Sequence, residues 1–386
     1  MRMFAQGGRV MKNIRMGVLL HFFQPYWQFP HVLQKIVEQC YRPIFHFVRN
    51  SGCGFAFTAN INYSLLELLK KHGYDDVLDD IKYCVENNLI ELVGTAAYHP
   101  IIPLIPIKAA GIQIAEDFCK KKFMGIIANS KGFFFPEMAF SKKSLHLLNK
   151  LGFNWTVIED VAVFPDKIPF DHIFSYHGYS VFLRSSHWSK YVWDNHINFW
   201  EFSEKIENEF FNWTGDKPSY LVIAMDAETF GHHVPGLSES FLFPLIQNWG
   251  GGKVVSRFEE LLKMFPHREN SEIRDCSWST SYDDLYRNDP FPLWKSKYNG
   301  HQLILWDLVY MALKYWNCQE AIHPCLKITN SCHWWWISRG IDRGFWNPQF
   351  MLIGAKKAMA VIEKCGTADE KKKARWHFEV LEQLCH

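Results

Sequence analysis

The chain has no Cys-x-x-Cys pair, no excess of charge of one sign and no early apolar run long enough to span a bilayer. The first absence removes support for a zinc ribbon or a thioredoxin-type site. Ten cysteines are scattered through apolar patterns instead, which reads as reduced thiols of a cytoplasmic protein rather than a disulfide framework. Lys+Arg 42 against Asp+Glu 40 leaves a net charge of +2. Nothing there points to a nucleic-acid or membrane-surface partner, both of which favour concentrated basic charge. The run Met16–Leu20 is far shorter than the roughly 20 residues of a spanning helix. No small-residue cleavage site follows it, and Met11 is a candidate start. No internal repeat or low-complexity stretch is present.

What is there is a large folded protein. The chain has 386 residues, 48% hydrophobic and 21% charged, enough to bury a full core without staples. Aromatic residues reach 16%, with Phe 32, Trp 16 and Tyr 15. Such rings fill cores, and they also stack on sugar rings.

Short apolar runs alternate with helical patterns. The expected strands are Met16–His21, Phe55–Ala59, Ile90–Gly94, Gly132–Phe135, Trp155–Ile158, Val181–Arg184 and Tyr220–Asp226. Expected helices include Pro30–Arg49, with a kink or break at Pro43, and Ser64–Lys71, Tyr74–Asn88, Ile107–Met124 and Ser141–Leu151. This alternation predicts an α/β fold around a parallel sheet, and near-continuous apolar strands fit a sheet covered on both faces. Seven or so units suit a barrel better than a small open sheet. The expected division is a barrel over 11–265 and a helical domain over 266–386. The latter holds helices at Gly300–Trp316, Asn347–Cys365 and Thr367–Cys385, joined to the barrel by Tyr282–Trp294.

In parallel α/β folds the functional groups cluster where strands end. Four strand ends carry unusual polar groups. His21 and Gln24 follow the first; they can bind hydroxyls, or be a satisfied loop histidine and a turn. Tyr98 and His99 lie in a loop stiffened by Pro100, Pro103 and Pro106, either a binding edge or a packed structural loop. Glu137 ends the run Phe133-Phe134-Phe135-Pro136, where an apolar setting disfavours charge unless donors are near. Asp226, Glu228, His232 and His233 fall within eight residues after the apolar run Tyr220–Met225. A structural core does not need so many titratable groups. Two carboxylates on separate strand ends, Glu137 and Asp226, are the usual minimum for glycoside hydrolysis. His21, Asp226 and His232 or His233 also permit a zinc site, although adjacent histidines do not share a helix face as an i, i+4 pair does.

These motifs resemble glycoside hydrolase family 57. HFFQP (His21–Pro25) is similar to its first motif and ELVGTAAYHPIIPLIP (Glu91–Pro106) to its second. GFFFPE (Gly132–Glu137) is similar to its nucleophile motif, MDAETFGHH (Met225–His233) to its acid/base motif and SCHWWW (Ser331–Trp336) to its fifth. Phe23 stands where that family often has a second histidine, and Phe134 where it often has a tryptophan. The resemblance implies a (β/α)7-type parallel barrel with a C-terminal helical domain that contributes to the active-site cleft. It implies a retaining glycoside hydrolase or 4-α-glucanotransferase acting on an α-glucan or maltooligosaccharide, with Glu137 as nucleophile and Asp226 as acid/base. His21, Gln24, His99, Glu228, His233, Trp278, His333 and Trp335 are then the candidate substrate contacts, with Glu228 and His233 also able to tune Asp226. Trp334 is either a stacking platform or core, and Asp283 and Asp284 either line the cleft or belong to a solvated loop. This reading needs no metal and no cofactor. Its competitors are a non-catalytic α-glucan-binding protein and a zinc-dependent carbohydrate hydrolase or deacetylase.

Overall fold

In the computed structural model, which describes residues 13–163, 170–215, 217–338 and 346–385, every residue of β1 (Ile14–Phe22) except Arg15 is buried. Met11 lies outside the described residues. β1 pairs in parallel with β2 (Phe57–Ile61) on one side and β8 (Ser219–Asp226) on the other, and β2 pairs in parallel with β3 (Ile90–Leu92). A second sheet runs in the order β4 (Gly132–Phe133), β5 (Trp155–Glu159), β7 (Tyr179–Arg184), β6 (Ile173–Tyr176) and β9 (His267–Glu269). Burial on both faces is why these strands read as unbroken apolar runs.

Backbone bonds join the two sheets at two seams. Gly94 N–H donates to Gly132 O, and Phe134 N–H to Gly94 O, both at 2.9 Å. At the other seam Ser185 N–H donates to Val222 O at 2.8 Å. Among the described residues β1, β2, β3, β4, β5, β7 and β8 therefore follow one another around a ring. This is the form the expected seven-unit α/β barrel takes. The β3–β4 seam depends on missing side chains: a Cβ on Gly94 would lie 2.3 Å from Phe153, and one on Gly132 2.2 Å from Trp155.

β6 and β9 were not expected. β6 turns back on β7 through a two-residue loop, His177-Gly178, with φ of 49° and 77°. Two positive φ values make the tight hairpin turn that Asn-Gly usually signals, and His-Gly hides it. β9 then adds to β6 in parallel, so a strand does follow residue 266.

The helix expected over Pro30–Arg49 does not break at Pro43. It runs as Pro30–Ile36, a π turn Val37–Tyr41, and Arg42–Asn50. Proline lacks an N–H and its ring crowds the carbonyl four residues back, here Gln39; one wider turn accommodates both. The same arrangement recurs before Pro244, where a π turn Ser238–Leu242 leads into Phe243–Trp249. Four further helices, Ser186–Asn195, Phe199–Thr214, Phe243–Trp249 and Phe258–Met264, go beyond the expected set. Buried Glu91 holds the start of the last, accepting from Phe258 N–H at 3.0 Å, Glu259 N–H at 3.3 Å and Thr58 Oγ1 at 2.6 Å.

The described residues form two compact units. The first draws on Met1–Gly94, Phe118–Phe134 and Leu148–Ile273; the second on Thr95–Asp117, Phe135–Leu147 and Arg274–His386. The second unit includes the helices Gly300–Leu313, Pro348–Cys365 and Ala368–Glu382. Two of its tryptophans lie in the core: Trp306 and Trp334 are buried and stack at 3.9 Å with planes 17° apart. Within 282–294, expected as a polar joining segment, Tyr282–Tyr286 is a short helix. Buried Asp284 caps it by accepting from Ser281 N–H and Oγ at 2.7 and 2.6 Å. No helix of the described residues is long and apolar enough to cross a membrane.

Candidate active site

Parallel register assembles the polar groups of the first unit. His21 is opposite Asn60 on β2 and opposite Asp226 on β8. In-register residues of parallel strands point to the same face, so an imidazole, an amide and a carboxyl sit side by side at the C-terminal strand ends. His21 Nδ1 lies 2.6 Å from Asn60 Oδ1. Burial lowers the imidazole to about 4, so the ring is neutral near pH 7 and Nδ1 carries the hydrogen given to Asn60. Asn60 Nδ2 is buried and has no hydrogen-bond partner among the described residues. Phe23 and Phe134 both lie nearly parallel to this ring, at centroid distances of 5.9 and 5.0 Å. The two positions that depart from the family pattern thus meet at one histidine.

Asp226 is half-buried, and desolvation raises its pKa against the pull of Arg184. Arg184 ends β7. It donates through Nε to Ala224 O at 2.7 Å and through Nη1 to both Glu159 oxygens at 2.9 and 2.8 Å. Burial lifts Glu159 to about 7 even so. Arg184→Met leaves that carboxyl buried without its cation. We expect a loss of about 3 kcal/mol, read as a lower urea midpoint at unchanged slope. Arg184 holds the folded carboxyl below the value burial alone would give it, so the loss relative to wild type is smallest below pH 7, where Glu159 keeps its proton in both proteins, and grows as pH rises through about 7.

Glu228 follows on the turn Ala227–Thr229 and is buried. Its Oε1 accepts from the Tyr41 hydroxyl and from Gln24 Nε2, the latter at 2.9 Å. Burial first, and then the charge of Asp226, raises its pKa. His233 gives its backbone N–H to Glu228 O at 2.8 Å, while its exposed ring lies 5.6 Å from that of Trp193. His232 Nδ1 meets Gln39 Oε1 at 2.8 Å. Among the described residues no three His, Cys, Asp or Glu side chains are arranged to hold a metal ion.

In the second unit Glu137 is the focus. Its Oε2 accepts from Trp278 Nε1 at 3.0 Å and its Oε1 from Ser331 Oγ at 3.0 Å. Buried His99 has Nδ1 2.8 Å from Ser331 Oγ and 3.6 Å from Glu137 Oε1. A chain His99–Ser331–Glu137 follows, with the serine accepting from the imidazole and donating to the carboxylate. Both ends are strained: φ is 57° at His99 and 59° at Glu137. A non-glycine residue at such φ costs on the order of 1 kcal/mol, and such residues cluster at functional sites.

The remaining expected contacts divide. Trp278 is half-buried on Glu137, and Trp335 is half-buried, edge-on to Trp336 at 4.7 Å. His333 is fully buried, with Nδ1 3.1 Å from Phe350 O and Nε2 3.4 Å from Lys327 O. A Cβ on Gly354 would lie 2.6 Å from its ring. It ties the fifth motif to the helix Pro348–Cys365, and Ser331 brings that motif to Glu137. Sequence reading passed over Tyr41, Asn60, Arg184 and Ser331. Only Arg184, a cation ending an apolar strand, carries a signal that patterning alone detects.

A ring of parallel strands that ends in carboxyls, amides and a neutral imidazole is an α/β barrel with a polar site at its strand ends. The chain belongs to glycosyl hydrolase family 57, whose model matches residues 15–257, more than half of its length. "Alpha-amylase 1" of Dictyoglomus thermophilum is 25% identical over 169 residues, which are 43% of this chain and 24% of that relative. Among solved structures, the 4-alpha-glucanotransferase of Thermococcus litoralis superposes with a TM-score of 0.72 at 16% identity, covering 92% of this chain and 60% of that one. The GH57-type branching enzyme of Pyrococcus horikoshii superposes at 0.67 and 15% identity, covering 96% and 95%. This chain thus spans about a quarter of the curated relative's length through the matched stretch.

Proposed function

We propose that the chain is a retaining α-glycosidase or 4-α-glucanotransferase that acts on α-glucans through a glycosyl-enzyme intermediate. The observation that carries the reading is the contrast between two carboxyls. Glu137 is held by N–H and O–H donors on both oxygens, a setting that favours a carboxylate and aims it. Asp226 is half-buried, and desolvation pushes its carboxyl above the usual carboxylate range, towards the acid form. Glu137 attacks the anomeric carbon as the glycosidic C–O bond breaks, and Asp226 gives its proton to the leaving oxygen. Asp226 then takes a proton from water or from an acceptor hydroxyl, whose oxygen displaces Glu137. His21, Gln24, His99 and the Asn60 amide suit sugar hydroxyls, and Trp278 and Trp335 suit sugar faces. Ten free thiols fit a cytoplasmic location.

Maltooligosaccharides of one length, incubated with the protein and resolved as a ladder, test this. Shorter products alone indicate hydrolysis; shorter and longer ones indicate transfer; new branch linkages indicate branching. We expect the ladder to be unchanged after exhaustive chelation. No product with tight binding would favour a non-catalytic glucan-binding barrel. Loss with EDTA and recovery with zinc would favour the zinc hydrolase.

A further inference from the structure

Two thiols of the second unit touch each other. Cys318 lies in the turns that follow the helix Gly300–Leu313, and Cys365 is the last residue of the helix Pro348–Cys365. Cys365 Sγ is 3.6 Å from Cys318 Sγ, and both residues are half-buried. Contacts on either side hold the two segments against each other. Lys314 Nζ donates to Glu370 Oε1 at 2.9 Å, and the Tyr315 hydroxyl donates to Glu370 Oε2. Lys364 Nζ pairs with Glu320. The backbone beside each thiol is fixed as well. Cys318 N–H donates to Tyr315 O at 2.9 Å, Ala321 N–H to Cys318 O at 2.8 Å and Gly366 N–H to Ile362 O at 2.7 Å. The sulfurs are therefore held in contact by their surroundings and not only by their own weak attraction. A disulfide bond is about 2.0 Å long, so closure needs only a short approach. Cys325, a third thiol of this neighbourhood, is buried, and its Sγ meets Ala312 O at 3.6 Å. That leaves Cys318 and Cys365 as the accessible pair.

We propose that Cys318 and Cys365 are a reversible oxidation site, which low-molecular-weight disulfides close into a cross-link between these two segments. One thiolate attacks a sulfur of the small disulfide RSSR and expels RS⁻, which leaves a mixed disulfide on the protein. The second thiolate attacks the protein sulfur of that mixed disulfide and expels the other RS⁻. The two protein thiols lose two hydrogens and two electrons, and RSSR is reduced to two RSH. Partial burial and the Cys318 sulfur raise the Cys365 thiol above its usual value, against the pull of Lys364. The resting state is therefore the reduced one, and the thiolate fraction sets the rate of closure. The two cysteines are 47 positions apart. A cross-link there encloses Ser331–Trp336 and nearly all of the helix Pro348–Cys365. It removes chain entropy from the unfolded form of the stretch that brings Ser331 to Glu137. Closure involves no glucan chemistry, so its test stands apart from that of the glycosidase reading.

The test is to incubate the reduced, folded protein with oxidised glutathione, digest it without reductant and weigh the peptides by mass spectrometry. We expect one pair of peptides joined through Cys318 and Cys365, two hydrogens lighter than the free pair and separated by dithiothreitol. Cys119, which is exposed, takes up glutathione under the same conditions and shows that the reagent was effective. Cys318→Ser has no second thiol to close with and keeps glutathione on Cys365 as a mixed disulfide. The cross-linked wild type melts about 5 °C above its reduced form, and Cys318→Ser shows no such rise on the same treatment. Stable glutathione adducts on both Cys318 and Cys365, or a cross-link from either to a different cysteine, overturns the proposal. So does a pair that stays reduced while Cys119 is modified, or one that closes only after urea has unfolded the chain. A cross-linked protein whose Tm is unmoved overturns the restraint on unfolding.

Discussion

Glu137→Ala will lose turnover on every natural α-glucan by on the order of 10⁴-fold or more, the scale of removing a covalent nucleophile. The argument is local. Trp278 Nε1 and Ser331 Oγ donate to opposite oxygens of Glu137, and His99 braces the serine. That arrangement presents a carboxylate in one orientation, and alanine leaves its donors facing empty space. Added azide fits that space and attacks α-glucosyl fluoride directly, so the product is the β-glucosyl azide, of inverted configuration. The side chain is partly exposed, with 15% of its surface accessible, so the fold survives and the urea midpoint changes little. Near-wild-type turnover in this variant would mean that the nucleophile is another group.

Asp226→Ala separates the two carboxyls. On α-glucan it loses about 10²- to 10⁴-fold, the usual contribution of a positioned general acid. The glucosyl fluoride needs no such help, because fluoride leaves unprotonated. The variant therefore still forms the glycosyl-enzyme on Glu137, and the intermediate accumulates because no base activates water. Azide needs no base either. It displaces Glu137 from the opposite face and gives the α-glucosyl azide, with net retention. An α product from Glu137→Ala and a β product from Asp226→Ala would exchange the roles. The raised pKa of Asp226 and the donors around Glu137 argue for the order stated here.

Much of this protein is legible before folding because parallel strands covered on both faces must be apolar along their length. β1, β2, β5, β7 and β8 announce themselves in that way, and β5, β7 and β8 end on the charged residues Glu159, Arg184 and Asp226. The candidate carboxyls follow from the same reasoning, since a charged group directly after a buried strand has to be accommodated for a reason. β6 and β9 escaped because they are short, and because His177-Gly178 makes a tight turn without the usual residues. The expected kink at Pro43 was a correct reading of proline chemistry, but the helix absorbed it in a π turn.

The environment of each carboxyl belongs to the tertiary structure alone. Tyr41 and Glu228 are 187 residues apart in the chain, Ser331 and Glu137 194, and Trp278 and Glu137 141. No local pattern encodes those meetings, because hydrophobic periodicity reports which face is buried and not what it is buried against. The amino-acid sequence determined the strand ends, the carboxyls and the family. The register of β1 with β2 and β8, the π turn before Pro43 and the strained backbone at His99 and Glu137 decided which donors reach which oxygen. Proton affinity follows from that last choice. A carboxyl's charge is set by the few groups within hydrogen-bonding distance, and only the folded chain brings those groups together.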